Sequence, residues 1–150
     1  MEKKKAVLML CATFPRGHRR EGEPTDFEAN IRDGVKIHTV RGNAGDTWWR
    51  RCTDVMRGRK YLTVREWTGK PYHSEQREIA RYDTIGLQKI TMTSASGELP
   101  QCWVDGHKVE VERVAANDGL PVEDFVNWFL GGNKDGIFEG VIIHFTDFRY

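Results

Sequence analysis

Hydrophobic and polar residues follow two spacings along the chain, an alternation of every second residue and a recurrence every three to four residues. Alternating stretches predict strands and the others predict amphipathic helices, because the apolar side chains of each stretch then share one face. The predicted strands are 6–13, 35–41, 60–67, 77–82, 85–93, 101–111 (as a hairpin) and 138–148, with a loop at 94–100. The predicted helices are 24–30, 48–56 and 122–130, and 111–116 fits either a short helix or the end of a strand.

These elements occur as hairpins and single helices, without a regular alternation of strand and helix. Such an order favours the α+β class, with a mixed, mostly antiparallel sheet curled into a small β-barrel and flanked by two or three helices. The length of 150 residues fits a single domain over 1–150, and no repeat or interdomain linker interrupts it.

The segment 31–42 is the centre of the sequence prediction. Phe27 and Ile31 place an apolar face on the helix before it, and Gly34 suits the left-handed residue just after a helix end. In the strand that follows, Thr39 and Arg41 fall on the otherwise apolar face. A hydroxyl and a guanidinium on an apolar face are unusual for a core strand and indicate a polar site against a rigid wall.

Lys36 belongs to the same strand and, in a regular strand, lies on the opposite face from Thr39. The two side chains meet only if the backbone bulges or twists between them, as backbones often do at barrel rims. A lysine beside a threonine hydroxyl can polarise a carbonyl group or act as a base once it is removed from water.

Composition excludes some classes of protein. The 23 basic and 22 acidic residues give a net charge of +1, which neither requires nor excludes a polyanionic partner. The three cysteines have no Cys-x-x-Cys spacing, which argues against a zinc site or disulfide framework and suits a reducing, cytoplasmic compartment. Without a metal-ligand cluster or a Gly-rich phosphate loop, we expect neither metal nor cofactor.

The first residues combine lysines with a short apolar run, a composition that resembles a signal peptide. The apolar run is only about seven residues long and also fits a buried first strand, which is the interpretation we prefer. No stretch of the sequence approaches the ~20 apolar residues of a membrane span, so a membrane is not an expected partner.

The pattern Gly34-Val35-Lys36, two residues, then Thr39-Val40-Arg41 resembles the signature of the ASCH domain family. Two later passages resemble the same family: the acidic-Gly-Leu turn at 118–120 before an aromatic helix, and the apolar strand at 140–145. This resemblance spans roughly residues 24–148 and implies a PUA-like barrel. The segment 42–58 exceeds what a minimal ASCH domain needs there, and we interpret it as a helical insertion.

Some bacterial ASCH proteins hydrolyse the acetyl-amide of acetylated cytidine with a lysine, a threonine and a glutamate. By resemblance, Lys36 matches the lysine and Thr39 the threonine, while Asp118 occupies the glutamate's position. Aspartate is one methylene shorter, so its carboxylate is expected to fall about 1 Å short, and such a misplacement can cost ~100-fold in rate. Alternatively, Asp118 is only a dipole-stabilising residue at the start of the last helix.

Other residues are candidates for ligand binding. Arg41 and Gly34 belong to the motif itself, and Glu66 shares a strand face with aliphatic residues. Trp67 could stack on a base and Lys70 could hold a phosphate, although the turn containing Lys70 also fits a purely solvated role. Three arginines in the loop before the motif helix suit phosphate contacts or plain solvation: Arg16, Arg19 and Arg20.

Three functional hypotheses follow. In the first, the domain binds RNA or a modified nucleotide or nucleoside in a cleft at the barrel rim. In the second, it is an amidohydrolase that deacetylates an acetylated cytidine nucleoside through Thr39, Lys36 and Asp118. The third is a ribonuclease, since ASCH relatives include such enzymes, although the sequence offers no obvious histidine pair.

Overall fold

A computed structural model of the protein describes residues 2–150 and contains two β-sheets, four α-helices and a short 3-10 turn at Ala44–Asp46. The strands are β1 Lys4–Met9, β2 His38–Gly42, β3 Lys60–Trp67, β4 Gln76–Tyr82, β5 Gly86–Ala95, β6 Glu98–Val104, β7 His107–Val109 and β8 Ile137–His144. The helices are α1 Phe27–Arg32, α2 Thr47–Met56, α3 Val111–Asn117 and α4 Val122–Leu130.

The first sheet has three strands in the order β1-β3-β4. Strand β1 runs parallel to β3, and β4 runs antiparallel to it with a register shift between Val64 and Arg65. The second sheet has five strands in the order β2-β8-β5-β6-β7, and all of its pairs are antiparallel. The α+β class and the mostly antiparallel pairing are therefore confirmed.

The hairpin predicted from Asp105-Gly106 is confirmed, since both residues have positive φ (49° and 81°) as a tight two-residue turn requires. The ambiguous segment 111–116 is helical. Several boundaries were wrong: β1 ends at residue 9 rather than 13, α1 begins at 27 rather than 24, and β8 ends at 144 rather than 148. Strand β2 begins at His38 rather than Val35, and β6 begins at Glu98, inside the segment predicted as a loop.

The core lies where the aliphatic faces of the two sheets meet the helices. Phe125 of α4 is completely buried and Phe27 of α1 is 4% exposed. Ile31, Trp128 and Phe129 pack against the core as partly buried residues, so the predicted apolar faces of these two helices are confirmed.

Helix α2 lies within the segment 42–58 that was predicted to be helical. Its Cys52 and Val55 are buried against the core, because they recur three residues apart on one helix face. Trp48, at the start of the same helix, contacts the guanidinium groups of Arg41 and Arg51 at 5.7 and 4.4 Å from its ring centre. The helix therefore reaches the motif strand β2.

Candidate functional site

The connection from α1 to β2 determines where Lys36 lies. Gly34 has φ 75°, and the backbone NH groups of Val35 and Lys36 both donate to the Asn30 carbonyl at 2.8 and 2.9 Å. These bonds close the end of the helix, as expected for a left-handed glycine there. The chain after Gly34 thus turns back sharply, and Lys36 lies in this turn, just before the strand.

The turn between α3 and α4 supplies the acidic partner. Asp118 lies at the C-terminal end of α3, and Gly119 follows with φ 80°. A Cβ atom at Gly119 would lie 3.0 Å from Cβ of Lys36, so only glycine allows the two turns to approach this closely. The alternative role of Asp118 as a dipole-stabilising residue at the start of the last helix is wrong, because it ends the preceding helix.

Lys36 and Asp118 form a buried ion pair. The Lys36 Nζ donates to the Asp118 carbonyl at 2.9 Å and to its Oδ1 at 3.3 Å, and each residue is 2% exposed. The ammonium also lies 4.2 Å from the centre of the Phe27 ring. Burial lowers the pKa of Lys36, and the nearby Asp118 carboxylate opposes that change.

The predicted shortfall concerns the distance from the Asp118 carboxylate to a reacting group and stays a prediction, but the aspartate does reach Lys36. Because Asp118 sits on a turn that packs directly on Lys36, its shorter side chain already reaches the ammonium. The contact with the Asp118 carbonyl further places a cation at the C-terminus of α3, where the helix dipole favours positive charge.

His38 and Tyr150 extend this pair into a buried polar cluster. His38 is fully buried, its Nδ1 lies 3.1 Å from Asp118 Oδ1, and its Nε2 lies 2.7 Å from the Tyr150 hydroxyl. Asn117 Nδ2 donates to the same hydroxyl at 3.0 Å. Burial raises the pKa of Tyr150, so the phenol remains protonated at neutral pH.

Thr39, Arg41 and Asp118 line one small cavity together with Cys11 and apolar residues, which include Phe27, Trp128 and Phe129. The cavity volume is about 20 Å³, which is room for about one water molecule. Lys36 does not contribute to its wall. Lys36 contacts Asp118, which does line the cavity, so any effect of Lys36 on a ligand there passes through that carboxylate.

Arg41 places at this cavity a guanidinium whose hydrogen bonds are incomplete. One of its terminal nitrogens donates to the Met9 carbonyl of β1, while its Nε is buried without a hydrogen-bond partner among residues 2–150. Burial lowers the pKa of Arg41, with the Asp118 carboxylate acting in the opposite direction. A buried donor without a partner is costly, and an acceptor atom from a ligand would satisfy it.

An open groove of about 350 Å³ adjoins the cavity, since both include Phe27 in their walls. Its polar lining is mainly acidic and consists of Asp26, Glu28 and Glu66, with Arg32 as the basic member. Glu66 is only 6% exposed, and burial together with the neighbouring Glu28 raises its pKa, while Arg77 opposes this change.

Two of the three loop arginines have partners within the protein. Arg20 donates to Asp124 Oδ2 at 2.8 Å, and Arg19 Nε lies 3.4 Å from the other carboxylate oxygen of the same residue. Asp124 is 2% exposed, so these contacts attach the loop to α4. Arg16 is exposed and contributes to neither the cavity nor the groove.

The remaining candidates lie apart from the cavity. Trp67 packs against Tyr72 with ring centres 5.1 Å apart, and Lys70 is exposed in the same turn. Gly34 shapes the turn before Lys36 and does not line the cavity. The structure therefore brings together Lys36, Thr39, Arg41 and Asp118, with Glu66 at the adjoining groove.

Sequence reasoning missed His38, Tyr150 and Asn117 as parts of the site. His38 lies between Lys36 and Thr39 in the motif, and that position was a usable signal. Tyr150 and Asn117 carried no such signal, because only the folded chain brings the last residue of the sequence beside α3.

Two absences complete the description of residues 2–150. No helix there combines the length and the apolar composition needed to cross a membrane. No group of three or more His, Cys, Asp and Glu side chains in that range is arranged to hold a metal ion.

In comparisons with known proteins, no family model, no curated protein and no solved structure matches the chain.

Proposed function

We propose that the chain is an ASCH-type domain whose two sheets together form a PUA-like barrel. Two contacts between the sheets support this arrangement. Arg41 of β2 donates to the Met9 carbonyl of β1, which joins an edge of one sheet to an edge of the other. The rings of Tyr82 and Phe145 stack 4.7 Å apart and join β4 to the end of β8.

We further propose that the Arg41–Asp118 cavity and its groove bind the base of a modified nucleoside or nucleotide, either free or within RNA. The observation that carries this proposal is the unpartnered, buried Nε of Arg41 on a cavity that also presents Thr39 and Asp118. Convergent polar groups in an otherwise apolar pocket are typical of a ligand site.

The cavity and the groove differ in size, so we expect each to hold a different part of the ligand. A volume of about 20 Å³ admits a single small group such as a carbonyl oxygen, while the groove of about 350 Å³ accommodates a ring. In the proposed complex the ring lies against Phe27, its carbonyl or acyl oxygen accepts from Arg41, and Glu66 accepts from an exocyclic amino group, as carboxylates do with cytosine.

Charge favours contacts to the base over contacts to phosphate. Three carboxylates line the groove (Asp26, Glu28 and Glu66) against Arg32, and Arg77 pairs with Glu28 and Glu66 beside it. The three acidic groups outnumber these two arginines, so the local charge disfavours a phosphate. Of the loop arginines, Arg19 and Arg20 are already attached to Asp124, and Arg16 does not line the groove. If the ligand is RNA, we expect it to present an unpaired base to the groove and to keep its backbone outside.

Deacetylation of an acetylated cytidine is the second candidate function. It is favoured by one observation, the Asp118 carboxylate that pairs with the buried Lys36 and lines the same cavity as Thr39. In this reaction the Thr39 hydroxyl attacks the acyl carbon, Asp118 takes the proton, and Arg41 rather than Lys36 stabilises the oxyanion. Expulsion of the amine, which takes back that proton, leaves an acetyl ester on Thr39, and water then hydrolyses this ester to acetate.

Ribonuclease action receives no comparable support. His38 and His144 lie close together, with ring centres 5.4 Å apart, but both are fully buried and neither lines the cavity. A histidine pair that acts on RNA must reach the scissile phosphate.

Calorimetric titration with cytidine, acetylated cytidine, cytidine monophosphate and a short unpaired RNA tests the binding proposal. We expect Arg41→Met to weaken binding of the preferred ligand at least tenfold, because the guanidinium that donates to its oxygen is removed. Arg59→Met is the matched control, since Arg59 is exposed and pairs with Asp54 on the surface. Equal affinities for wild type and Arg41→Met would contradict the proposed site.

Release of cytidine from acetylated cytidine tests the second candidate. We expect Thr39→Val to abolish turnover while ligand affinity and the unfolding temperature stay near those of the wild type, because valine removes the hydroxyl and keeps the branched shape. Undiminished turnover in this variant would rule out the threonine mechanism. Binding without turnover by the wild-type protein would leave the binding function alone.

A further inference from the structure

Two residues of the motif segment hold Asp118, but only Lys36 was predicted from the sequence to belong to the site. Lys36 donates to its carbonyl and to Oδ1, while His38 Nδ1 lies 3.1 Å from that same Oδ1. The carboxylate has no protons to offer when ionised, so His38 must be the donor in this contact. The proton of the imidazole is therefore on Nδ1.

The Nε2 atom of His38 lies next to the Tyr150 hydroxyl, whose oxygen already accepts a hydrogen bond from another residue. Asn117 Nδ2 donates to the Tyr150 oxygen at 3.0 Å, and the hydroxyl proton is free to point at His38 Nε2, 2.7 Å away. A cationic imidazole would instead donate to Tyr150 and leave that hydroxyl proton without an acceptor in this cluster. The hydrogen bonds are therefore complete only with a neutral His38 that carries its proton on Nδ1.

The charge balance of the buried cluster also favours a neutral His38. Lys36, His38 and Asp118 are all 2% exposed or less, so the cluster is removed from water. One ammonium and one carboxylate balance, whereas a cationic His38 would leave an uncompensated positive charge in the interior. Arg41, which lines the cavity with Asp118, and Arg113, 5.7 Å from the centre of the Tyr150 ring, are further positive groups near the cluster, and both disfavour an additional positive charge. His144 packs beside His38 as a neutral ring.

We infer that His38 and Tyr150 are positioning residues for Asp118: Tyr150 fixes the imidazole, and the Nδ1 proton of the imidazole orients the carboxylate toward the cavity. This inference deepens the proposed function, because it concerns the same carboxylate. Neither residue lines the cavity, and their effect on a ligand passes through Asp118.

The protein contains its own spectroscopic controls. His144 Nε2 donates to Gln88 Oε1 at 2.9 Å, since that oxygen also accepts from the Tyr150 NH. His18 accepts from the Arg20 NH at Nδ1 and donates to the Asp124 carbonyl through Nε2. These two histidines therefore carry their proton on Nε2, and His38 carries it on Nδ1.

Long-range ¹H–¹⁵N correlation spectra of the wild-type protein at neutral pH test the assignment without any ligand. We expect a protonated Nδ1 and an unprotonated Nε2 for His38, and the opposite tautomer for His18 and His144. A His38 protonated on Nε2, or on both nitrogens, would overturn the inference.

Two substitutions then separate positioning from packing. His38→Asn keeps an N–H donor near the place of Nδ1, while His38→Gln places its amide near Nε2 and removes the donor to Asp118. We expect the Asp118 ¹³Cγ signal to move in the glutamine variant and to stay near its wild-type position in the asparagine variant, with Asp124 unchanged in both. Equal displacement of Asp118 in both variants would contradict a specific Nδ1 contact.

Ligand affinity gives the functional outcome. We expect about tenfold weaker binding for His38→Gln and for Tyr150→Phe, and a change below about threefold for His38→Asn and for Tyr82→Phe, the matched control. Unchanged affinity in both His38→Gln and Tyr150→Phe would overturn the positioning role. If the wild type binds none of the nucleosides, the proposed function fails, and the tautomer and the Asp118 signal still decide the inference.

Discussion

At the scale of single residues, the Lys36–Asp118 pair combines stability and chemistry. Two opposite charges out of water stabilise the fold only when each has further partners, and here the Asp118 carbonyl, His38 and the Phe27 ring provide them. The same burial lowers the pKa of Lys36, and the Asp118 carboxylate opposes that change.

Replacing Lys36 with methionine should therefore be strongly destabilising. The variant keeps most of the side-chain volume and leaves Asp118 without its ion partner, which we expect to lower the free energy of unfolding by about 3 kcal/mol in urea titration. Lys60→Met is the control, because its pair with Asp54 is partly exposed and should contribute less than about 1 kcal/mol. Adding Asp118→Asn to Lys36→Met should restore part of the loss, and strictly additive losses would argue against a coupled pair.

At the scale of elements, the site depends on two helix ends that meet. Gly34 follows the end of α1 and Gly119 follows the end of α3, both with positive φ, and the two turns bring Lys36 and Asp118 together. Each turn has a local cause in the sequence, but the 3.0 Å approach between Gly119 and Lys36 is a tertiary contact.

The Gly119→Ala variant measures how much that approach contributes. Gly58 is the matched control, because it ends α2 in the same way with φ 76° and has open space where a Cβ would be. Both alanine variants share the cost of a left-handed residue, about 1 kcal/mol. We expect Gly119→Ala to lose roughly 1 kcal/mol more in the free energy of unfolding, because it also crowds Lys36. Equal losses would show that the two turns can move apart without cost.

Strands, helices and turns could be predicted from the sequence, whereas contacts between residues far apart in the chain could not. Periodicity located strands and helices, and glycine positions located the turns, since both depend on neighbours along the chain. The motif also brought out Lys36, Thr39 and Arg41. Alternation was misleading for Lys36, which was predicted within the strand and lies in the turn before it. Tyr150 and Asn117 could not be found, because their roles depend on contacts between distant parts of the chain.

At the scale of the whole molecule, the last segment of the chain closes the polar cluster over β2 and β8. Tyr150 contacts His38, and its backbone binds Gln88, which in turn accepts from His144. His144 is fully buried and its Nδ1 has no partner within the described range 2–150. Burial, with the neighbouring His38 and Arg149, lowers the pKa of His144 to about 3.

This shift predicts how the stability of the protein depends on pH. The unfolded chain protonates His144 near pH 6.5, whereas the folded chain resists protonation until about pH 3. Below pH 6.5 the unfolded state therefore binds a proton that the folded state does not, so the free energy of unfolding falls as pH falls. Between pH 7 and pH 4.5 this one group should cost about 2 kcal/mol, measurable by urea titration at each pH.

His144→Leu removes that titration and keeps an apolar side chain in the core. The variant should be less stable than the wild type at pH 7, since Gln88 loses its donor, but its stability should fall less steeply between pH 7 and pH 4.5. His107→Leu is the control, because His107 is exposed and should leave the pH dependence as it is in the wild type. Parallel curves for His144→Leu and the wild type would mean that the imidazole accepts a proton in the folded state. In that case the cluster beneath the C-terminal segment would tolerate positive charge, and the argument for a neutral His38 beside it would fail as well.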